Sequence, residues 1–124
     1  MTGFIVFGHG SRVESANEAV RAMASRMAAA GGLTVEPAFL ELGEPDLDGA
    51  VDRLAARGAA SIVVIPYFLT LGTHLRRDLP KLVEAAAARH GHVPISVTAP
   101  LDGHPALVGA LLDRAGEGLA GALP

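Results

Sequence analysis

Ile62-Val-Val-Ile-Pro-Tyr-Phe-Leu-Thr-Leu-Gly-Thr-His74, running on into Leu75-Arg-Arg-Asp-Leu-Pro80, changes character twice within nineteen residues. Ser61–Ile65 reads as a buried strand, its residues 62–65 being a short, unbroken apolar run. Pro66 to Gly72 is a loop that stays apolar, and it delivers His74 just ahead of a helix. That helix runs from about Thr73 or Asp78 to His90, because Pro80 in its first turns permits either start. Leu79, Leu82, Val83 and Ala86 recur at helical spacing as its inner face, and Gly91 follows it.

Outward from this stretch the same grammar repeats. Gly3–Phe7 is a second doubly buried run, and Gly8-His9-Gly10 after it lets the backbone turn sharply around a histidine. Ser11-Arg-Val-Glu14 and Ser15-Ala-Asn-Glu18 each fit a capping box, so the first helix is expected to start at one of them. Ala19, Val20, Met23, Ala24, Met27 and Ala28 form its stripe, and Gly31-Gly32 ends it. Leu33–Leu40 reads as a strand that Pro37 confines to a sheet edge. Pro45 fits the first turn of the next helix, with Leu47, Ala50, Val51, Leu54 and Ala55 inward and Gly58 as cap. Pro94–Thr98 is the last strand, and Pro105 opens a last helix through Leu107, Val108, Leu111, Leu112 and Ala115.

Four strands alternating with four helices over short connections predict an α/β fold, a four-stranded parallel sheet with helices on both faces. With 124 residues, the chain is expected to be a single domain over 1–124. Half of the residues are hydrophobic, 19% are charged and the mean hydropathy is +0.37. Beyond residue 104 only Asp113, Arg114 and Glu117 carry charge, so the last helix is apolar on more than one side. A second subunit is expected to cover it. The net charge of −3, without a basic run, argues against nucleic acid. No apolar run approaches the ~18 residues of a membrane span, and the N-terminus enters a strand directly. The expectation is a cytoplasmic protein.

Without cysteine, thiolate metal sites and cysteine nucleophiles are excluded. In an open parallel sheet, ligands bind beyond the carboxyl ends of the strands. His9, Glu41, His74, and Asp102 with His104 are what follow the four strands in turn. Histidine and carboxylate without cysteine suit cobalt, nickel, iron or zinc. His9 and His74 are therefore the candidate metal ligands. Glu41 could ligate metal, take a proton or be solvated. His104, before Pro105, reads as a helix-start residue and Asp102 as turn chemistry. Ser11 and Arg12 fall at a helix start, where an anion is favoured, and Arg76 and Arg77 are either its partners or surface charges. The loop Pro66–Gly72 is costly to leave in water and should contact a flat apolar partner or another subunit.

Together, His9-Gly-Ser-Arg12, Phe39-Leu-Glu41 followed by Pro45, Pro66–Leu69 with Gly72-x-His74, Asp78-Leu-Pro80 and Pro100-Leu-x-Gly-x-Pro105 resemble the small sirohydrochlorin chelatases of the CbiX type. The resemblance runs nearly the full length, in order. It implies half of the two-domain class II chelatase fold, a homodimer replacing the two domains, and insertion of cobalt, nickel or iron into sirohydrochlorin. It places the metal ligands at His9 and His74 and the carboxylate at Glu41. Ser11, Arg12, Phe68, Leu69, Gly72 and Thr73 then fall where the tetrapyrrole would bind. No cofactor beyond the substrate metal is implied. With no nucleotide-binding Gly-x4-Gly-Lys motif, ATP is not expected to take part. Two other readings stand beside it: a metal or tetrapyrrole carrier without turnover, and a histidine phosphatase. The latter is disfavoured by Gly8, where those enzymes carry an arginine before the first histidine.

Overall fold

Residues 1–121 are described by a computed structural model, in which strands and helices alternate throughout. Strand β1 spans Thr2–Gly8, helix α1 Glu14–Gly31, β2 Thr34–Phe39, α2 Leu47–Ala56, β3 Ser61–Pro66, α3 Thr73–Arg89, β4 Ile95–Val97 and α4 Ala106–Leu119. All pairings are parallel and the order is β2-β1-β3-β4, so the two longest apolar runs lie at the centre and β2, with Pro37, lies at an edge. The expected α/β class and the edge position of β2 are both observed.

Strand register assigns the faces. A side chain at Gly3 would run into Leu54 of α2, and one at Gly8 into Val20 of α1. These positions differ by an odd number, so they point to opposite faces. The α2–α3 face holds the main core: Ile5, Phe7, Ala38, Ile62 and Val64 of the sheet against Leu47, Val51, Leu54, Leu79 and Val83. Each fully buried side chain of this kind stabilises by roughly 1.5–3 kcal/mol over its exposed state. On the other face α1 lies over β1 and β2, burying Val6, Phe39 and Ala24, while Val63 and Ile65 of β3 remain half-buried. Helix α4 stands apart, with Val108, Leu111 and Leu112 each about two-thirds exposed.

Several local expectations are corrected. Helix α1 starts at Glu14 with Val13 in the cap position and no side-chain capping bond, so neither Ser11 nor Ser15 closes a capping box. The Ser11 hydroxyl instead accepts the Val13 N–H at 3.0 Å, inside the loop. Pro45 lies outside α2, because its carbonyl accepts the Phe39 N–H at 2.9 Å and Asp46 takes the cap, accepting the Gly49 N–H at 2.8 Å. Ala55 and Leu82 fall on the outward sides of their helices and are exposed. Helix α3 takes the earlier of its two starts, and Pro80 is accommodated within it on the exposed side. Gly32 and Gly58, at φ +63° and +93°, end α1 and α2 as expected.

Helices α2 and α3 are tied by charge as well as packing. Asp48 accepts from Arg89 Nε at 2.8 Å and meets His90 Nε2 at 3.2 Å. The hydrogen bond from Arg89 holds the Asp48 carboxyl below the usual carboxylate range.

Candidate metal and substrate site

Because β1 and β3 are neighbours while α1 and α3 leave on opposite faces, the loops after these two strands part at a topological switch point, where open α/β sheets form a crevice. A cleft of about 350 Å³ opens there, lined by His9, Leu40, Phe68, Gly72, Thr73, His74, Leu75 and Asp78. The two histidines thus face one cavity, although 65 positions separate them in the chain.

Each histidine is held by its neighbours. His9 Nδ1 lies 3.2 Å from the Gly10 carbonyl oxygen, which can only accept, so this nitrogen carries the proton. In the neutral ring Nε2 is left with its lone pair available to a cation. At His74 the situation is reversed. The Arg77 guanidinium can only donate, and at 3.2 Å it makes His74 Nδ1 the acceptor. A cation taking that lone pair must displace Arg77.

Glu41 is set against His9 by backbone. The β1–β2 ladder continues past the strands, with Leu40 N–H bonded to Gly8 O at 2.9 Å and Glu41 N–H to His9 O at 3.0 Å. The Glu41 carboxylate then comes within 3.9 Å of His9 Nδ1, both side chains being more than half exposed. Gly10 makes this approach possible: at φ +93°, a Cβ there would stand 1.5 Å from the Glu41 carbonyl oxygen.

The apolar wall is built from the loop after β3. Phe68 packs on Phe7 with ring centroids 6.2 Å apart, and the loop is braced by the one after β4 through Leu101 N–H to Phe68 O and Asp102 N–H to Leu69 O, both 2.8 Å. Of the expected binding residues, Phe68, Gly72 and Thr73 line the cleft with both histidines. Ser11, Arg12 and Leu69 do not: the Ser11 hydroxyl is spent on Val13, and Arg12 and Leu69 are exposed outside it. His104 Nδ1 accepts the Ala106 N–H at 3.0 Å, the helix-start role expected of it. Asp78 is an addition. One turn after His74 in α3 it brings a carboxylate to the cleft wall, whereas the expected Glu41 flanks His9 without lining the cleft; the i, i+4 spacing from His74 is the signal that points to Asp78. Among the described residues, no three His, Asp or Glu side chains converge tightly enough to form a metal cluster by themselves. The arrangement supplies two imidazoles, two flanking carboxylates and open space between them. Gly8 is buried against Val20, so its position sends no side chain into the cleft, against the phosphatase reading.

The sequence profile of the CbiX family matches residues 3–118. A sirohydrochlorin ferrochelatase from Arabidopsis thaliana is 34% identical over 113 residues, covering 90% of this chain and 50% of that protein. The crystal structure of the CbiX protein from Marinobacter aquaeolei VT8 superposes with a TM-score of 0.85 at 32% identity, over 97% of this chain and 98% of the other. The sirohydrochlorin chelatase SirB from Bacillus subtilis subspecies spizizenii, solved in complex with cobalt, gives a TM-score of 0.85 at 29% identity, over 94% of this chain and 50% of that one. The chain therefore spans about half the length of the Arabidopsis and Bacillus proteins and nearly all of the Marinobacter one.

Proposed function

This chain belongs to the CbiX family, and on that premise we propose that it inserts a divalent metal ion, cobalt, nickel or iron, into sirohydrochlorin without ATP. The observation that carries the proposal is the meeting of His9 and His74 across one cleft whose wall includes Phe68. The metal is the substrate rather than a resident cofactor. His9 offers Nε2, and His74 offers the nitrogen now held by Arg77, so the ion keeps open positions for the macrocycle nitrogens. Insertion replaces two pyrrolic N–H protons by one M²⁺ and so releases two protons. Glu41, a histidine or Asp78 accepts them, each being a base that works near the edge of the cleft. Phe68, Gly72 and Thr73 hold the ring. Ser11, Arg12 and Leu69, outside the cleft wall, are positioned only for its periphery.

In this reading residues 1–124 act as one lyase domain in the cytoplasm. Among the described residues no helix is long and apolar enough to cross a membrane. The active form is a homodimer, in which a second copy covers the exposed Val108, Leu111 and Leu112 of α4 and takes the place of the second domain of a two-domain chelatase.

The test is an anaerobic absorbance time course of sirohydrochlorin with Co²⁺, Ni²⁺ and Fe²⁺, with sub-stoichiometric protein and with His9→Ala and His74→Ala. Turnover by the wild type that falls to the spontaneous rate in both variants is the expected result. Macrocycle binding without turnover would replace the chelatase by a carrier. Neither binding nor turnover would reject the reading.

A further inference from the structure

We infer that Asn17, buried in α1, is the positioning residue that sets Glu41 against His9, a role that rests on the chelatase reading above. Asn17 is the one buried polar or charged side chain among the described residues, at 1% exposure. Its carboxamide is used on both ends. Oδ1 accepts the Ser11 N–H, and Nδ2 donates to the carbonyls of Ser11 and Leu42, all at 2.9 Å. Ser11 lies in the loop that begins with His9, and Leu42 directly follows Glu41. One side chain therefore clamps the loops that carry His9 and Glu41 to the same helix, the Leu42 carbonyl lying 25 positions from Asn17 in the chain.

The surroundings are cut to fit this clamp. Leu42 adopts φ +55°, a conformation that non-glycine residues seldom take, and its carbonyl is the one Asn17 holds. Gly43 leaves room for the carboxamide: a Cβ there would lie 3.2 Å from Asn17 Nδ2 and 2.9 Å from Phe39. Plain packing does not call for three hydrogen bonds from a buried amide; an apolar residue would fill α1's inner face as well. The bonds instead determine where the backbone of Ser11 and Leu42 lies, and with it the approach of the Glu41 carboxylate to His9 Nδ1. Asn17 touches neither the cleft nor a reacting atom.

The experiment is a double-mutant cycle of Asn17→Ala with Glu41→Gln, read as kcat and KM for Co²⁺ insertion into sirohydrochlorin. Leu54→Ala, a core change behind Gly3, serves as a stability-matched control. A misplacement of 1 Å can cost about 100-fold in rate, so Asn17→Ala should lower kcat by at least about tenfold with KM little changed. The double variant should fall within about twofold of the weaker single, since two changes acting through one contact are not additive. Leu54→Ala should keep the wild-type kcat. Additive losses, or an Asn17→Ala kcat equal to that of Leu54→Ala, would overturn the role. If Asn17→Ala does not fold, Asn17→Ser carries the same cycle, and amide exchange of the wild type gives a further check. The Ser11 N–H should exchange slowly, and fast exchange there also overturns the role. Absence of wild-type turnover is separately visible, and it rejects the chelatase reading and the role with it.

Discussion

Replacing Gly10 by alanine should damage the site more than alanine at any other glycine of the described residues. The new Cβ would stand 1.5 Å from the Glu41 carbonyl oxygen and 2.7 Å from the carbonyl carbon. Ordinary contact begins near 3.4 Å, so the His9 and Glu41 loops would have to part by roughly 2 Å, an overpacking that the backbone on both sides must absorb. The Glu41 N–H to His9 O bond, 3.0 Å in length, cannot survive that separation. Its loss costs about 0.5–1.5 kcal/mol. Alanine at φ +93° adds strain of about 1–3 kcal/mol. The expected destabilisation is therefore about 1.5–4.5 kcal/mol, read from urea denaturation. Gly32→Ala is the control: it has φ +63° and nothing within 4 Å, so it carries the strain alone. Turnover should fall about 100-fold or more, because the histidine and the carboxylate no longer share one geometry. A Gly10→Ala protein as stable as Gly32→Ala, with turnover near that of the wild type, would refute the claim that the two loops are locked together.

Two further outcomes test other parts of the molecule. The Arg89 hydrogen bond lowers the Asp48 pKa in the folded chain, so this pair contributes stability above the ordinary carboxylate value and loses it as pH falls. Arg89→Ala should therefore be less stable than wild type at pH 7, with the gap in denaturation midpoint closing below about pH 4; a gap that stays constant to lower pH would contradict the assignment. Leu111→Glu with Leu112→Glu, on the exposed side of α4, should convert the proposed homodimer to monomer in sedimentation velocity. An intact dimer would show that α4 is not its interface.

How the chain folds is largely written in local pattern. The apolar runs at Gly3–Phe7 and Ser61–Ile65, the stripes of α2 and α3 and the glycines at 32 and 58 report strand, helix and helix end through neighbours only a few positions away. His9 and His74 are legible for the same reason, since each follows a strand directly and strand ends are where such sheets bind ligands. Local pattern was misleading where a distant group competes for the same atoms. Ser11 has the composition of a helix cap, yet its backbone is taken by Asn17 and its hydroxyl by Val13, so the cap falls two residues later, at Val13. Pro45 resembles a first-turn proline, but its carbonyl is claimed by Phe39.

By itself, then, the amino-acid sequence determined the alternation of elements, the sheet type and the chemical kinds of residue brought to its carboxyl edge, because apolar period and turn chemistry act over short range. The tertiary structure decided which of those residues meet. It placed β1 beside β3 and so brought His9 and His74 to one cleft, added Asp78 to it, and left Ser11, Arg12 and Leu69 outside, with Glu41 beside His9 but not in the lining. It also buried Asn17 between two loops that share no local pattern. Those outcomes depend on strand order and on hydrogen-bond partners tens of positions apart, and only the packed chain selects among them.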